Sequence, residues 1–152
     1  MRKMLFLAIV ALAAPAASQG FPFGLGPGQR QASAPPPVVQ QPIEVLRADF
    51  GAQAGGTTIY FVSGSSGLGA QARTILAGQA AWLRRHPEIA VRVEGHGDPG
   101  DTRDHALAVG ARRAEQARDY LVLLGVPMAQ VSAMTWGKER PGAPRAVTTI
   151  VR

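Results

Sequence analysis

A small α+β domain is what the pattern of this chain predicts, and three observations carry that prediction. Two short runs of β-branched, aliphatic and aromatic residues, 57–62 and 89–94, each precede a long stretch with apolar residues at helical spacing. Two further extended runs, 131–136 and 146–151, follow with few residues between them. The resulting order, β-α-β-α-β-β, implies two helices packed on one face of a small mixed four-stranded sheet.

Each element has a local cause. The run TTIYFV at 57–62 is β-branched and aromatic, and Ser63-Gly64-Ser65-Ser66-Gly67 ends it as a turn. Leu68, Ala72, Ile75, Leu76, Ala80 and Leu83 predict an amphipathic helix over 68–85, stopped by His86-Pro87. Residues 89–94 (IAVRVE) alternate in part and read as the second strand. A second helix is expected over 102–124, with Leu107, Ala114, Ala117, Leu121 and Leu124 facing inward and Gly125-Val126-Pro127 ending it. The short interval between the last two strands favours their pairing as antiparallel neighbours.

The rest of the chain divides into two segments outside the domain. Arg2 and Lys3 precede the apolar run MLFLAIVALAA, which is shorter than the roughly 20 residues a spanning helix needs. Small residues follow at Ala16 and Ser18, so residues 1–18 read as a signal peptide that directs the chain to a periplasm. Residues 19–42 are rich in Pro, Gly and Gln and lack either periodicity; they read as a flexible linker. The domain is expected over 43–152, enough chain for an independent core. The sequence contains no cysteine, so stability must come from apolar burial, and no lipid anchor on a cysteine is expected.

The formal net charge is +6, but the arginines are scattered among acids and the few aromatics do not interleave with them. That argues against nucleic acid as a partner. No strained nucleophile turn surrounds the serines at 63–66, and no carboxylate pair is set up as acid and base, so the chain does not read as an enzyme. No cofactor is expected.

The chemistry concentrates in Gly95-His96-Gly97-Asp98-Pro99-Gly100-Asp101-Thr102-Arg103-Asp104, which leads from the second strand into the helix carrying Arg112-Arg113-Ala114. This arrangement can place one carboxylate and one guanidinium at the mouth of a strand-to-helix turn, a combination suited to a small zwitterion. Helix N-terminal amides near Thr102 and Arg103 can add donors for an anion. Competing roles are open at the same residues. Asp98 before Pro99-Gly100 is a good turn former, Asp101 a good helix cap, and Asp104 sits well against the helix dipole. His96, Asp98, Asp101, Asp104 and His105 are all metal-ligating types, but their spacing fits no closed site and no metal is expected. Trp82 and Trp136 read as packing residues, and His86 as a helix-end residue.

The segment EGHGDPGDTRDHALAVGARRAEQARDYLVLLGVP, followed by WGKERP, resembles the OmpA-like C-terminal domain family, which includes the peptidoglycan-associated lipoproteins. Gly95, His96, Asp98, Gly110, Arg113 and Ala114 fall in register with the family pattern, and the similarity runs over 57–151. The resemblance implies a non-covalent peptidoglycan-binding module of the cell envelope, associated with the cell wall or outer membrane. By the same resemblance Asp98 and Arg113 hold the zwitterionic end of the stem peptide's diaminopimelate, with His96, Gly97, Thr102 and Arg103 in support. The alternative is a member that has lost peptidoglycan binding and contacts an envelope protein instead. Four departures bear on that choice. Asp101 stands where a turn glycine is expected, Ala106 replaces the family's asparagine, and Val109 replaces leucine. No acid or amide follows the first strand.

Overall fold

A computed structural model describes residues 41–140 and 142–151; the signal segment and most of the linker expected above lie outside them. The elements are α1 (Ile43–Gln53), β1 (Thr58–Tyr60), α2 (Ala70–Arg85), β2 (Ala90–His96), α3 (Arg103–Leu123), a 3-10 turn (Met128–Gln130), β3 (Val131–Gly137) and β4 (Arg145–Val151). Together they form an α+β domain with one four-stranded mixed sheet in the order β1-β4-β2-β3. Among the described residues no helix is long and apolar enough to cross a membrane.

The strand order corrects one expectation. β3 and β4 are not neighbours: β3 pairs parallel to β2, while β4 runs antiparallel between β1 and β2. The interval between β3 and β4 is short, yet the seven residues 138–144 reach about 23 Å when extended, well beyond the roughly 10 Å needed to pass over one strand. β2, α3 and β3 form the parallel crossover unit that a helix-length connection permits. The connection from β3 to β4 therefore passes over the C-terminal end of β2, where Asp98 lies.

A third helix, α1, adds to the two read from the sequence. Leu46, Phe50 and Ala54 are buried in the common core, with Ile43 packed against it. Trp82 of α2 is fully buried and holds α1 in place. Its indole Nε1 donates to Asp49 Oδ2 at 2.8 Å, and its ring meets Phe50 edge-on with 5.0 Å between centroids. His86 stacks on the Trp82 ring with 3.9 Å between centroids. β1 is shorter than the run 57–62 suggests: Thr58, Ile59 and Tyr60 pair in register with β4, while Thr57 adds a single bond, its carbonyl accepting from the Thr148 N–H at 2.8 Å.

Core contacts from the strands are one-sided. Val91 and Val93 of β2 and Ala146 and Ile150 of β4 are buried with the helices, while their alternate neighbours turn to the other face. α3 ends as its sequence dictates: Gly125 adopts φ 90°, its N–H donates to Val122, and the N–H of Val126 donates to Leu121. Gly95 sets how closely α3 approaches β2. A Cβ there would collide with the carbonyl oxygen of Gly110 and the amide nitrogen of Ala114, both backbone atoms of α3. We predict that Gly95→Ala lowers the urea unfolding free energy by at least about 1–3 kcal/mol, because neither obstructing atom can rotate away. An unchanged urea midpoint would contradict this account of the packing.

Candidate binding site

Asp98 and Arg113 meet at the end of β2. β2 breaks its regular pairing between Gly95 and His96, and the N–H of Gly97 then donates to Gly137 at 2.7 Å. Asp98-Pro99-Gly100-Asp101 follows as a turn closed by the Asp101 N–H on the Asp98 carbonyl at 3.2 Å. Gly97 lies so close to α3 that a Cβ would strike the backbone and side chain of Ala106. Ala106 is itself fully buried, so the position that carries asparagine in the family is here a tight apolar contact.

Arg113 reaches the same point from about two turns beyond Ala106 along α3. Its Nη1 donates to Asp98 Oδ1 at 2.7 Å and to the His96 carbonyl at 2.8 Å. Its Nε donates to the Ser65 carbonyl at 2.8 Å, and its Nη2 to the Val62 carbonyl at 3.3 Å. The guanidinium lies 5.3 Å from the centroid of the Phe61 ring. Arg113 is completely buried and Asp98 is 5 % exposed. Four of the five N–H groups of the guanidinium are thus engaged within the protein.

The other carboxylate oxygen of Asp98 accepts from the Ser63 hydroxyl at 2.8 Å and from the Gly64 N–H. Burial raises the Asp98 carboxyl, but the hydrogen bonds from Arg113, Gly64 and Ser63, with the Arg113 charge, outweigh it and hold the group below the usual carboxylate range. Loop 62–65 therefore supplies four of the contacts on the pair, and sequence reasoning missed it. The signal it carried was its composition: Ser-Gly-Ser-Ser-Gly offers a hydroxyl and a left-handed glycine, Gly64 at φ 71°, in place of the acid or amide that the family resemblance implies.

The remaining candidates divide. His96 gives its backbone carbonyl to Arg113, while its ring sits among Glu94, Arg140 and Arg145. Gly97 provides close approach. Thr102, not Asp101, caps α3: its hydroxyl accepts from the His105 N–H at 3.3 Å, because Asp101 is one residue too early to reach that amide. Arg103 is exposed and pairs with Glu139 at 3.1 Å. Among the described residues no three His, Cys, Asp or Glu side chains are placed to hold a metal ion.

The His96 ring is 2 % exposed and its Nδ1 has no hydrogen-bond partner among the described residues. Burial pushes its pKa down to about 4, with the Arg145 and Arg140 charges acting in the same direction and Glu94 opposing them. A base with a lowered native pKa binds fewer protons folded than unfolded, so stability falls as pH drops from about 6.5 towards 4. The Asp98 carboxylate adds its own loss as pH falls through the usual carboxylate range and on towards its lowered native value. We predict that His96→Tyr flattens the decline in urea midpoint between pH 6.5 and 4 relative to the parent chain. A decline of equal slope in both proteins would remove His96 as its cause.

Residues 60–149 match the OmpA family. A peptidoglycan-associated lipoprotein of Mesorhizobium japonicum is 48 % identical over 88 residues, which is 58 % of this chain and 52 % of that protein. The chain spans about half the length of the curated relatives it matches. Among solved structures, the peptidoglycan-associated lipoprotein of Burkholderia pseudomallei superposes with a TM-score of 0.61 at 31 % identity, covering 64 % of this chain and 92 % of that one. The C-terminal domain of Helicobacter pylori MotB shares the fold at 18 % identity, with a TM-score of 0.55 over 63 % of this chain and 83 % of that domain. A family match over more than half the sequence, on a sheet and helices of the same architecture, places this chain in the OmpA family.

Proposed function

We propose that this domain is a non-covalent, non-enzymatic peptidoglycan-binding module of the periplasm, and that Asp98 and Arg113 recognise the diaminopimelate of the stem peptide. The carrying observation is the buried contact between the two groups, fixed at the mouth of the β2–α3 turn. Relatives at up to 48 % identity bear the name peptidoglycan-associated lipoprotein, which supports the ligand class. The chemistry fits a zwitterion. A carboxylate is a stronger acceptor for a guanidinium than a peptide carbonyl is, so a ligand carboxylate displaces Val62 and Ser65 from Arg113. A ligand ammonium then takes the lone pairs of Asp98 that Ser63 and Gly64 occupy in the closed loop.

One observation favours a second reading, in which the fold is retained and the chain contacts an envelope protein without binding peptidoglycan. Arg113 has no exposed surface, and its contacts on loop 62–65 are those of a structural clamp. The two readings part on a single measurement with purified sacculi. Deleting one member of a buried pair costs about 3–5 kcal/mol of stability, so conservative variants are preferred. We expect Arg113→Lys, which keeps charge and loses the planar fork, and Asp98→Asn, which keeps an acceptor and loses charge, each to weaken sacculus binding about tenfold or more while still unfolding cooperatively in urea. Wild-type retention by both variants, or no retention by the parent chain, would overturn the peptidoglycan reading.

A further inference from the structure

The sheet face turned away from the core carries an unusual set of side chains for a solvent-facing surface. Tyr60 on β1 lies opposite Arg145 on β4, and Arg145 is close enough to the His96 ring on β2 to influence its charge. Trp136 on β3 shares this face, because its Nε1 donates to Glu94 at 3.0 Å and its ring stacks under Arg140 at 3.9 Å. One row further down, Glu94 pairs with Met134; beyond it, Arg92 lies between Thr149 and Ser132.

Charge on this face is unbalanced. Glu94 is the sole acid on the four strands, and it is already held by Arg140 at 3.1 Å and by Trp136. Arg92 has no hydrogen-bonding or ionic partner among the described residues, and Arg145 donates only to the Ala143 carbonyl in its own loop. Tyr60 is 62 % exposed. The floor between these groups is firm: Glu94 and His96 are buried although they point away from the core, beneath the long side chains of their neighbours. Two arginines without acids thus share a preorganised face with Tyr60 and Trp136, Arg145 beside Tyr60 and Arg92 further along β2.

We propose that this open sheet face docks a folded protein partner that presents a carboxylate-rich patch. Arginine, tyrosine, tryptophan and methionine with no lysine is the composition of a protein interface centre, and stacked or fixed side chains lose little freedom on binding. Other occupants fit less well. Residues 1–40 carry Arg2, Lys3 and Arg30 and no acid, so they have the same sign as the face. Two copies meeting face to face would oppose like charges. The sheet also sets a size: four strands of up to seven residues give roughly 19 by 23 Å, on the order of 400 Å². That is about half the ~800 Å² each partner buries in a stable complex, so the partner is a transient one. The Asp98–Arg113 pair takes no part in this surface, and sacculus binding tests that pair separately.

The test is a chemical-shift titration of the full chain with three probes: poly-L-glutamate as a carboxylate-rich polypeptide, polygalacturonate as a carboxylate-rich glycan, and vesicles containing phosphatidylglycerol. Poly-L-glutamate is expected to bind most tightly, with shifts centred on Tyr60, Arg92, Met134 and Arg145. The double charge reversal Arg92→Glu/Arg145→Glu weakens that binding about tenfold or more. Its control, Arg73→Glu/Arg112→Glu on exposed arginines of α2 and α3 that are unpaired among the described residues, carries the same change in net charge and shifts affinity less than about twofold. If the reversed sheet variant does not fold, Arg92→Gln/Arg145→Gln replaces it with the same expectation at reduced size. Equal loss in both pairs would reduce the effect to net charge and overturn the proposal. Absent binding, shifts centred elsewhere, or tighter binding to the glycan or the vesicles would overturn it as well.

Discussion

A single buried guanidinium organises the ends of three elements in this domain. Arg113 ties the exit of β2, through His96 and Asp98, to the loop that leaves β1, through Val62 and Ser65. An arginine in this position is stable only because its charge is met by one carboxylate and its remaining donors by carbonyls. The carboxylate in turn is met by a hydroxyl and an amide of the same loop. Neither group is satisfied without the other, so the pair and loop 62–65 form one cooperative polar unit at the edge of an apolar core. Close approach makes the unit possible. Gly95 and Gly97 let α3 settle directly on the backbone of β2, which brings the base of the Arg113 side chain near the turn.

The connection from β3 to β4 closes the same end from the other side. Lys138 donates to the Asp101 carbonyl at 2.7 Å, and Glu139 pairs with Arg103. Arg140 then folds back over Trp136 to reach Glu94. The surface pairs among these are individually weak, since exposed ion pairs contribute little. Their common effect is positional: the crossing loop is fastened to the turn that carries Asp98. The buried His96 ring beneath it stays neutral near pH 7, and charging it would add a third cation beside Arg140 and Arg145.

Much of this was legible in the chain because local and global signals agree. The period of Leu68 to Leu83 and the glycine-proline exit at Gly125 and Pro127 define two helices whose packing is what their sequences require. The charge pair was legible too, through the resemblance of the Gly95 to Ala114 segment to a known family. What escaped were features that depend on contacts far apart in sequence. The apolar spacing of Ile43, Leu46, Phe50 and Ala54 is helical, but an eleven-residue segment of that kind is marginal until Trp82 and Phe50 meet. β4 pairing with β1 and β2 rather than β3 is decided by which strand edges remain open, which no local pattern records. The grip of loop 62–65 on the pair rests mainly on backbone atoms, and backbone atoms leave almost no trace in side-chain identity.

The placement of β4 has a consequence for how the domain comes into being. This strand is late in the chain yet central in the sheet, and among the described residues it is the sole hydrogen-bonded neighbour of β1. Until it has been synthesised, the first strand has nothing to join and the second lacks one of its two ladders. Assembly therefore depends on pairings across nearly the whole domain, the slow kind in which chain closure precedes its reward. A polypeptide wired this way remains open for as long as β4 is withheld, and it closes only when that strand slots between its two earlier partners.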